Sequence, residues 1–138
     1  MKTIAVIDGQ GGGVGKALVE RIRANFGKDV RILALGTNSL AASLMLKAGA
    51  DEAATGENAI VVNARKADVI AGAIGIIAAN SMLGELTPAM ALAVSDSEAL
   101  KLLIPLNRCH LQVVGMRSMS FSALVDEAIA ELGEILSL

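Results

Sequence analysis

Residues Asp8 to Gly15 read Asp-Gly-Gln-Gly-Gly-Gly-Val-Gly. Glycines at this density let backbone N–H groups approach a ligand with no side chain between, and the chemistry they serve is phosphate binding. The flanks fit that use. An apolar run, Ile4-Ala5-Val6-Ile7, stops at Asp8, and a helical pattern begins at Val14 and continues through Lys16-Ala17-Leu18-Val19-Glu20-Arg21-Ile22. A helix N-terminus there adds the positive end of its dipole. The plainer reading of the same residues is a turn kept only for tight packing.

Spacing narrows the ligand. The dinucleotide template G-x-G-x-x-G, ended at Gly15, puts Gln10 where its first glycine belongs, so it is not met. The pattern Gly9-x-x-x-Gly13-x-Gly15 is present and resembles the fingerprint of short-chain dehydrogenases. Gly9 can turn out of the strand, Gly13 can let backbone meet a pyrophosphate, and Gly15 can let the helix sit close on the sheet. The expected cofactor is NADP or NAD, held by Asp8, Gly9, Gln10, Gly11, Gly12, Gly13, Val14 and Gly15. Asp8 either binds a cation or caps the turn. Gly12-Gly13-Val14-Gly15-Lys16 also resembles part of the deviant Walker A loop of ParA-like ATPases. A P-loop needs a hydroxyl after its lysine to bind Mg²⁺, and Ala17 stands there.

Other groups are candidates of a lesser kind. An NAD site carries an acid about 20 residues beyond the glycines, on the ribose 2′-hydroxyl. Gly36-Thr37-Asn38-Ser39 occupies that region without one. These residues either meet a 2′-phosphate or simply cap the next helix. Gly72-Ala73-Ile74-Gly75 follows an apolar strand and should face the first glycine loop, where Gly72, Ala73 and Gly75 admit either a ligand or a turn. Asn80, Ser81 and Glu85 are the nearest polar groups beyond it. Cys109 beside His110 invites a nucleophile–base pairing, but neighbours on an extended segment point opposite ways. One cysteine and one histidine fall short of a zinc site, and no metal is expected.

The elements that must position these groups alternate. Helical spacing predicts a helix from Gly13 to Phe26, with Val14, Leu18, Ile22 and Phe26 on one face. Val30–Leu35 is a strand apolar enough to be buried on both sides. Gly36-Thr37-Asn38-Ser39 caps a helix containing Leu40, Leu44, Met45 and Leu46 that Gly49 closes, and another helix follows at Gly56–Arg65, with a short edge strand at Ala50–Ala54 and an apolar strand at Ala67–Ala73. Gly75 to Leu83 reads as a short helix. Thr87-Pro88 starts another, as N-cap and first helical residue. Leu100–Ile104 and Leu111–Val114 are strands joined by a loop too short for a parallel crossover, so the last should be antiparallel, at the edge. Ser120–Leu138 is an amphipathic helix. The expectation is one domain, residues 1–138. It should be a Rossmann-like three-layer α/β/α fold with a mostly parallel sheet in the order 3-2-1-4-5-6. Ligands should sit at the carboxyl ends of strands one and four.

Composition excludes several classes. The 138 residues are 54% hydrophobic with a net charge of −2, which gives no nucleic-acid footprint. With no Trp or Tyr there is little to stack on bases. A single cysteine rules out an internal disulfide framework. The chain enters a strand directly at Met1-Lys2-Thr3-Ile4, and its longest apolar stretch, Val69 to Ala79, is too short to cross a bilayer. A cytoplasmic protein with no membrane partner is expected. Ile74 to Leu83 is apolar nearly all round, which points to a homo-oligomer, most simply a homodimer.

The chain as a whole resembles a family of short bacterial proteins known only as a domain of unknown function with a Rossmann-like fold. The stretches that carry the likeness are VIDGQGGGVGKAL, ALGTNSLA, AGADEAATGENAIVVN and GIIAANSMLGELTP. That resemblance implies the fold and assigns no catalytic residue. The dehydrogenase likeness covers only the first third, and that family's Tyr-x-x-x-Lys is absent because the chain has no tyrosine. The function expected is nucleotide binding without hydride transfer by this chain. Two alternatives stand beside it: a non-catalytic interaction subunit whose glycine loop is empty or structural, and a small enzyme acting on a phosphorylated metabolite through Asn80, Ser81 or Glu85.

Overall fold

Strand β1 (Lys2–Asp8) is the middle of the sheet, and its residues Ile4 to Ile7 are wholly buried. A strand with four consecutive buried apolar residues needs cover on both faces, and parallel sheets provide it. The computed structural model describes residues 1–106 and 110–137. After β1 come α1 (Gly13–Phe26), β2 (Val30–Gly36), α2 (Ser39–Ala48), β3 (Glu52–Thr55), α3 (Glu57–Ala64), β4 (Val69–Ala73), α4 (Pro88–Asp96), β5 (Leu100–Ile104) and α5 (Phe121–Leu136). The sheet has five strands in the order β3-β2-β1-β4-β5, and every pair is parallel.

Alternation along the strands divides the core in two. Ile4 and Val6 of β1 pack with Leu18 and Ile22 of α1, Met45 of α2, and Leu124, Ile129 and Leu132 of α5. Ala5 and Ile7 face the other way, onto Ile60 of α3 and Met90 and Val94 of α4. This is the expected three-layer α/β fold. Caps start the helices where short polar residues permit. Asn38 Oδ1 accepts from Ala41 N–H at 2.8 Å, Thr87 Oγ1 from Met90 N–H at 3.2 Å, and Ser120 Oγ from Ala123 N–H at 3.1 Å.

Two sequence expectations are corrected. Leu111–Val114 forms no strand, so among the described residues the sheet has five strands, without the expected antiparallel sixth at the edge. Its apolar side chains find no surface to cover: Val113 is 45% exposed and Val114 97%. A four-residue run that leaves all its apolar side chains partly or fully exposed gains too little burial to offset the entropy of ordering it as an edge strand. Residues 105–106 and 110–120 belong instead to neither strand nor helix, between β5 and α5 in sequence. The expected helix over Gly75–Leu83 is also absent. A 3₁₀ turn takes Ile74–Ile77, and the chain then reverses through Asn80, Met82, Leu83 and Gly84, all at positive φ (56° to 90°). Ser81 Oγ donates to the Gly75 carbonyl at 2.6 Å, and Asn80 N–H to the Leu86 carbonyl at 2.8 Å. These bonds replace helical ones, and Leu86, wholly buried, anchors the loop. No helix among the described residues is long and apolar enough to cross a membrane.

Candidate functional site

The strand order changes direction between β1 and β4, and a cavity of about 560 Å³ opens there, at the carboxyl ends of both. Its floor is the glycine loop: Asp8, Gly9, Gln10, Gly11, Gly12, Gly13 and Val14 all line it. Ala73 and Gly75 come in beyond β4. Ser81, Met82 and Leu83 form one wall, and Leu106 and Phe121 another.

The loop is shaped by its own hydrogen bonds. Gln10 and Gly12 are left-handed (φ 48° and 77°), and Gly12 N–H donates to the Gly9 carbonyl at 3.0 Å. Asp8 is buried beneath the loop. Its Oδ1 accepts from Gly9 N–H at 2.8 Å and its Oδ2 from Gly15 N–H at 2.6 Å, so the carboxylate ties strand, turn and helix together. Burial pushes the Asp8 carboxyl above its ordinary value, the two N–H donors draw it back, and the charge of Glu85 raises it further. Among the described residues, nothing accepts from the N–H groups of Gly11, Gly13 and Val14. All three residues line the cavity, and free N–H groups gathered in such a turn suit an anion. No lysine or arginine lines it among the described residues, so an anion bound there would be held by backbone and helix dipole.

The glycines serve different ends. A Cβ on Gly15 would lie 2.5 Å from Met45 Sδ and 2.8 Å from Asp8 Cβ, so this glycine lets α1 sit close on the sheet and does not face the cavity. A Cβ on Gly9 would strike Thr37 Oγ1 and Met82 Sδ. Cβ atoms on Gly11 or Gly13 would meet nothing within 4 Å.

Glu85 arrives from the loop before α4. Its Oε1 accepts from Gln10 N–H at 2.9 Å, Thr37 Oγ1 at 2.8 Å and Asn38 Nδ2 at 2.8 Å. These donors hold its carboxyl below the ordinary value, Gln10 N–H contributing most.

The other sequence candidates are distributed as follows. Gly36, Thr37, Asn38 and Ser39 lie at the end of β2, outside the cavity wall, with Thr37 and Asn38 on Glu85 and Asn38 also capping α2. A Cβ on Gly72 would strike the Ile7 carbonyl at 2.7 Å, which makes it a packing glycine of the sheet. Asn80 is off the cavity, while Ser81 lines it with its hydroxyl given to Gly75. His110 is exposed, and Cys109 lies outside the described residues. No three His, Cys, Asp or Glu among the described residues are grouped to hold a metal. Sequence reasoning missed Met82, Leu83, Leu106 and Phe121 as wall residues. The signal for Phe121 was available: one of two phenylalanines, beside the Ser120 cap, at the end of the sheet where ligands bind.

Residues 3–137 match the family described as Domain of unknown function (DUF3842). The chain belongs to that family. The resemblance read from the sequence is thereby met, over nearly the whole length. No curated protein matches the chain. Among solved structures it is similar to the dodecameric FMN-dependent UbiX-like decarboxylase from Escherichia coli O157:H7, at 14% identity and TM-score 0.46, over 100% of this chain and 95% of that one. It is also similar to AibC, at 17% identity and TM-score 0.43, over 94% of this chain and 38% of that one. Neither likeness bears on ligand or assembly.

Proposed function

We propose that this chain binds a nucleotide at the glycine loop. A phosphate sits on the N–H groups of Gly11, Gly13 and Val14, and the ring portion lies against Met82, Leu83, Leu106 and Phe121. The observation that carries this is the set of unpartnered N–H groups on the floor of a cavity at the switch point of the sheet. Its volume, about 560 Å³, is that of an ordinary small-molecule site. The glycine spacing taken by itself points to NADP or NAD, and the proposal here extends only to a nucleotide. The reading includes no hydride transfer by this chain: there is no tyrosine, and the polar groups nearest the cavity are spent on the scaffold, Ser81 on Gly75 and Glu85 on the loop. A homo-oligomer and a cytoplasmic location complete the proposal. Val114, 97% exposed, is surface that a second copy would cover.

One observation favours a second reading, an interaction subunit with a structural loop. Gly9, Gly12 and Gly15 are each required by crowding or by positive φ without any ligand. Mass spectrometry of nucleotide released on denaturing the purified protein, with calorimetric titration of nucleotides, separates the two. Gly13→Val places a side chain where Gly13 faces open space, so it should abolish binding and leave the fold intact. Binding equal to that of the parent, or a parent that binds no nucleotide, overturns the proposal. So does NADPH oxidation by the purified chain with a panel of carbonyl compounds, as regards hydride transfer.

A further inference from the structure

The glycine turn is open on one side and closed on the other. A dinucleotide straddles the switch point, with its adenosine ribose held at the end of the strand next to the glycine strand. Here that strand is β2, and its end is stitched shut. Glu85 Oε1 accepts from Gln10 N–H on the turn and from Thr37 and Asn38 beyond β2 (2.9, 2.8 and 2.8 Å). Asn38 Nδ2 also donates to the Gln10 carbonyl at 3.0 Å, and Thr37 N–H to the Asp8 carbonyl at 2.9 Å. Met82 covers the same ground, its Sδ 2.7 Å from where a Cβ on Gly9 would stand. The loop from Asn80 to Glu85 thus crosses over Gly9 along the track a dinucleotide would follow. The cavity is lined by the turn and by Met82 and Leu83 and reaches Ala73, Gly75, Leu106 and Phe121, while Thr37, Asn38 and Glu85 lie outside its lining.

We propose that Glu85 sets the ligand class of this site: by closing the turn onto Thr37 and Asn38 it excludes the adenosine half of a dinucleotide, so that the chain takes a mononucleotide, one phosphate ester and one ring system. The inference rests on the nucleotide-binding reading above and restricts it. The residue arrives from a loop that departs from ordinary backbone at Asn80, Met82 and Leu83 (φ 65°, 57° and 56°), and such departures persist where surrounding contacts hold them. The bonds of Glu85 and the burial of Leu86 are those contacts.

The test is calorimetric titration of the parent and Glu85→Ala with AMP, FMN, NAD and NADP. The parent should bind AMP or FMN at least about tenfold more tightly than either dinucleotide, a ratio within reach of steric exclusion. Glu85→Ala should gain affinity for NAD or NADP by about tenfold, removing the parent's preference for the mononucleotide. Equal binding of mono- and dinucleotides by the parent overturns the inference and leaves nucleotide binding standing. Weaker or unchanged dinucleotide binding by Glu85→Ala also overturns it, and weaker binding would make the carboxylate a ribose-hydroxyl acceptor instead. A parent that binds none of the four removes the nucleotide reading itself, and the inference with it. Should Glu85→Ala not fold, as judged by circular dichroism, the parent ratio and Glu85→Gln decide. The amide keeps an acceptor for Gln10, so a smaller shift in the same direction is expected, and no shift refutes.

Discussion

Gly15 offers the sharpest test of how the loop is built, because its role can be worked out from atoms in place. Helix interiors ordinarily gain about 1 kcal/mol when glycine becomes alanine. Here the new Cβ would lie 2.5 Å from Met45 Sδ, 2.8 Å from Asp8 Cβ and 3.0 Å from Asp8 Oδ2. Met45 is wholly buried, so its sulfur has no solvent to retreat into, and Asp8 is fixed by strand β1 and its two N–H bonds. Overpacking of this kind costs about 1–3 kcal/mol. The propensity gain therefore offsets part of it, and Gly15→Ala should lose about 1 kcal/mol. Gly15→Val adds two more methyls and, being β-branched, forfeits most of the propensity gain, so about 2–3 kcal/mol is expected. For a chain of 138 residues each kcal/mol moves the melting temperature by about 3 °C. Urea titration and thermal melting by circular dichroism measure both variants, with Gly13→Ala as the control. Gly13 opens α1 with nothing within 4 Å of its Cβ position, so the control should be unchanged or up to about 1 kcal/mol more stable. If Gly15→Ala proves as stable as the parent, the close-packing argument is wrong.

Arg23 pins the far end of α1: Nε donates to the Gly49 carbonyl at 2.9 Å, Nη1 to that of Gly27 at 2.5 Å, and Nη2 to Asp51 Oδ2 at 2.7 Å. Arg23→Met should cost about 1.5–3 kcal/mol in urea titration, and Arg23→Lys, lacking the fork, should recover less than half of that loss. Asp51 fixes a pH dependence. Its folded carboxyl sits below 3.8, chiefly through Ile32 N–H and then through Arg23, so its stabilisation is present above that value and is lost as pH falls through the lowered one. The stability gap between the parent and Asp51→Asn should accordingly close on acidification, and a gap independent of pH would contradict this. Sedimentation at high concentration should give a species larger than the 14.1 kDa chain, and a monomer throughout would count against the oligomer.

What the sequence disclosed was local. The Ile4–Ile7 run, the turn after Asp8, the Asn38 and Thr87 caps and the helical stripe of α1 each depend on residues a few positions apart, and each stands where spacing put it. The misread segments depend on partners elsewhere. Leu111–Val114 has the composition of a strand and lacks a neighbour to pair with. Gly75–Leu83 has the composition of a buried helix, and its bonds go instead to making a loop that delivers Glu85 onto residues 10, 37 and 38. Nothing in local spacing joins position 85 to those three. Thr37 and Asn38 were legible as polar groups beyond β2, and the acid missing from that region was legible as an absence. That a carboxylate comes there from another loop is a property of the topology alone.

The glycine loop carries its argument in the two glycines the protein does not need. Gly9 and Gly15 are glycine because their own scaffold crowds them, and Gly12 because its φ of 77° suits little else. Removing any ligand from consideration leaves these three fully explained. It leaves Gly11 and Gly13 unexplained. Neither has a positive φ, neither has an atom within 4 Å of its Cβ position, and both line the cavity. Glycine at position 13, the first residue of α1, forgoes up to about 0.5–1 kcal/mol that alanine would supply, in proteins whose total stability is only about 5–15 kcal/mol. A Cβ there would meet open space, at residues that line the cavity beside the free N–H groups of Gly11, Gly13 and Val14. The space that these two residues keep clear is the space a phosphate would fill.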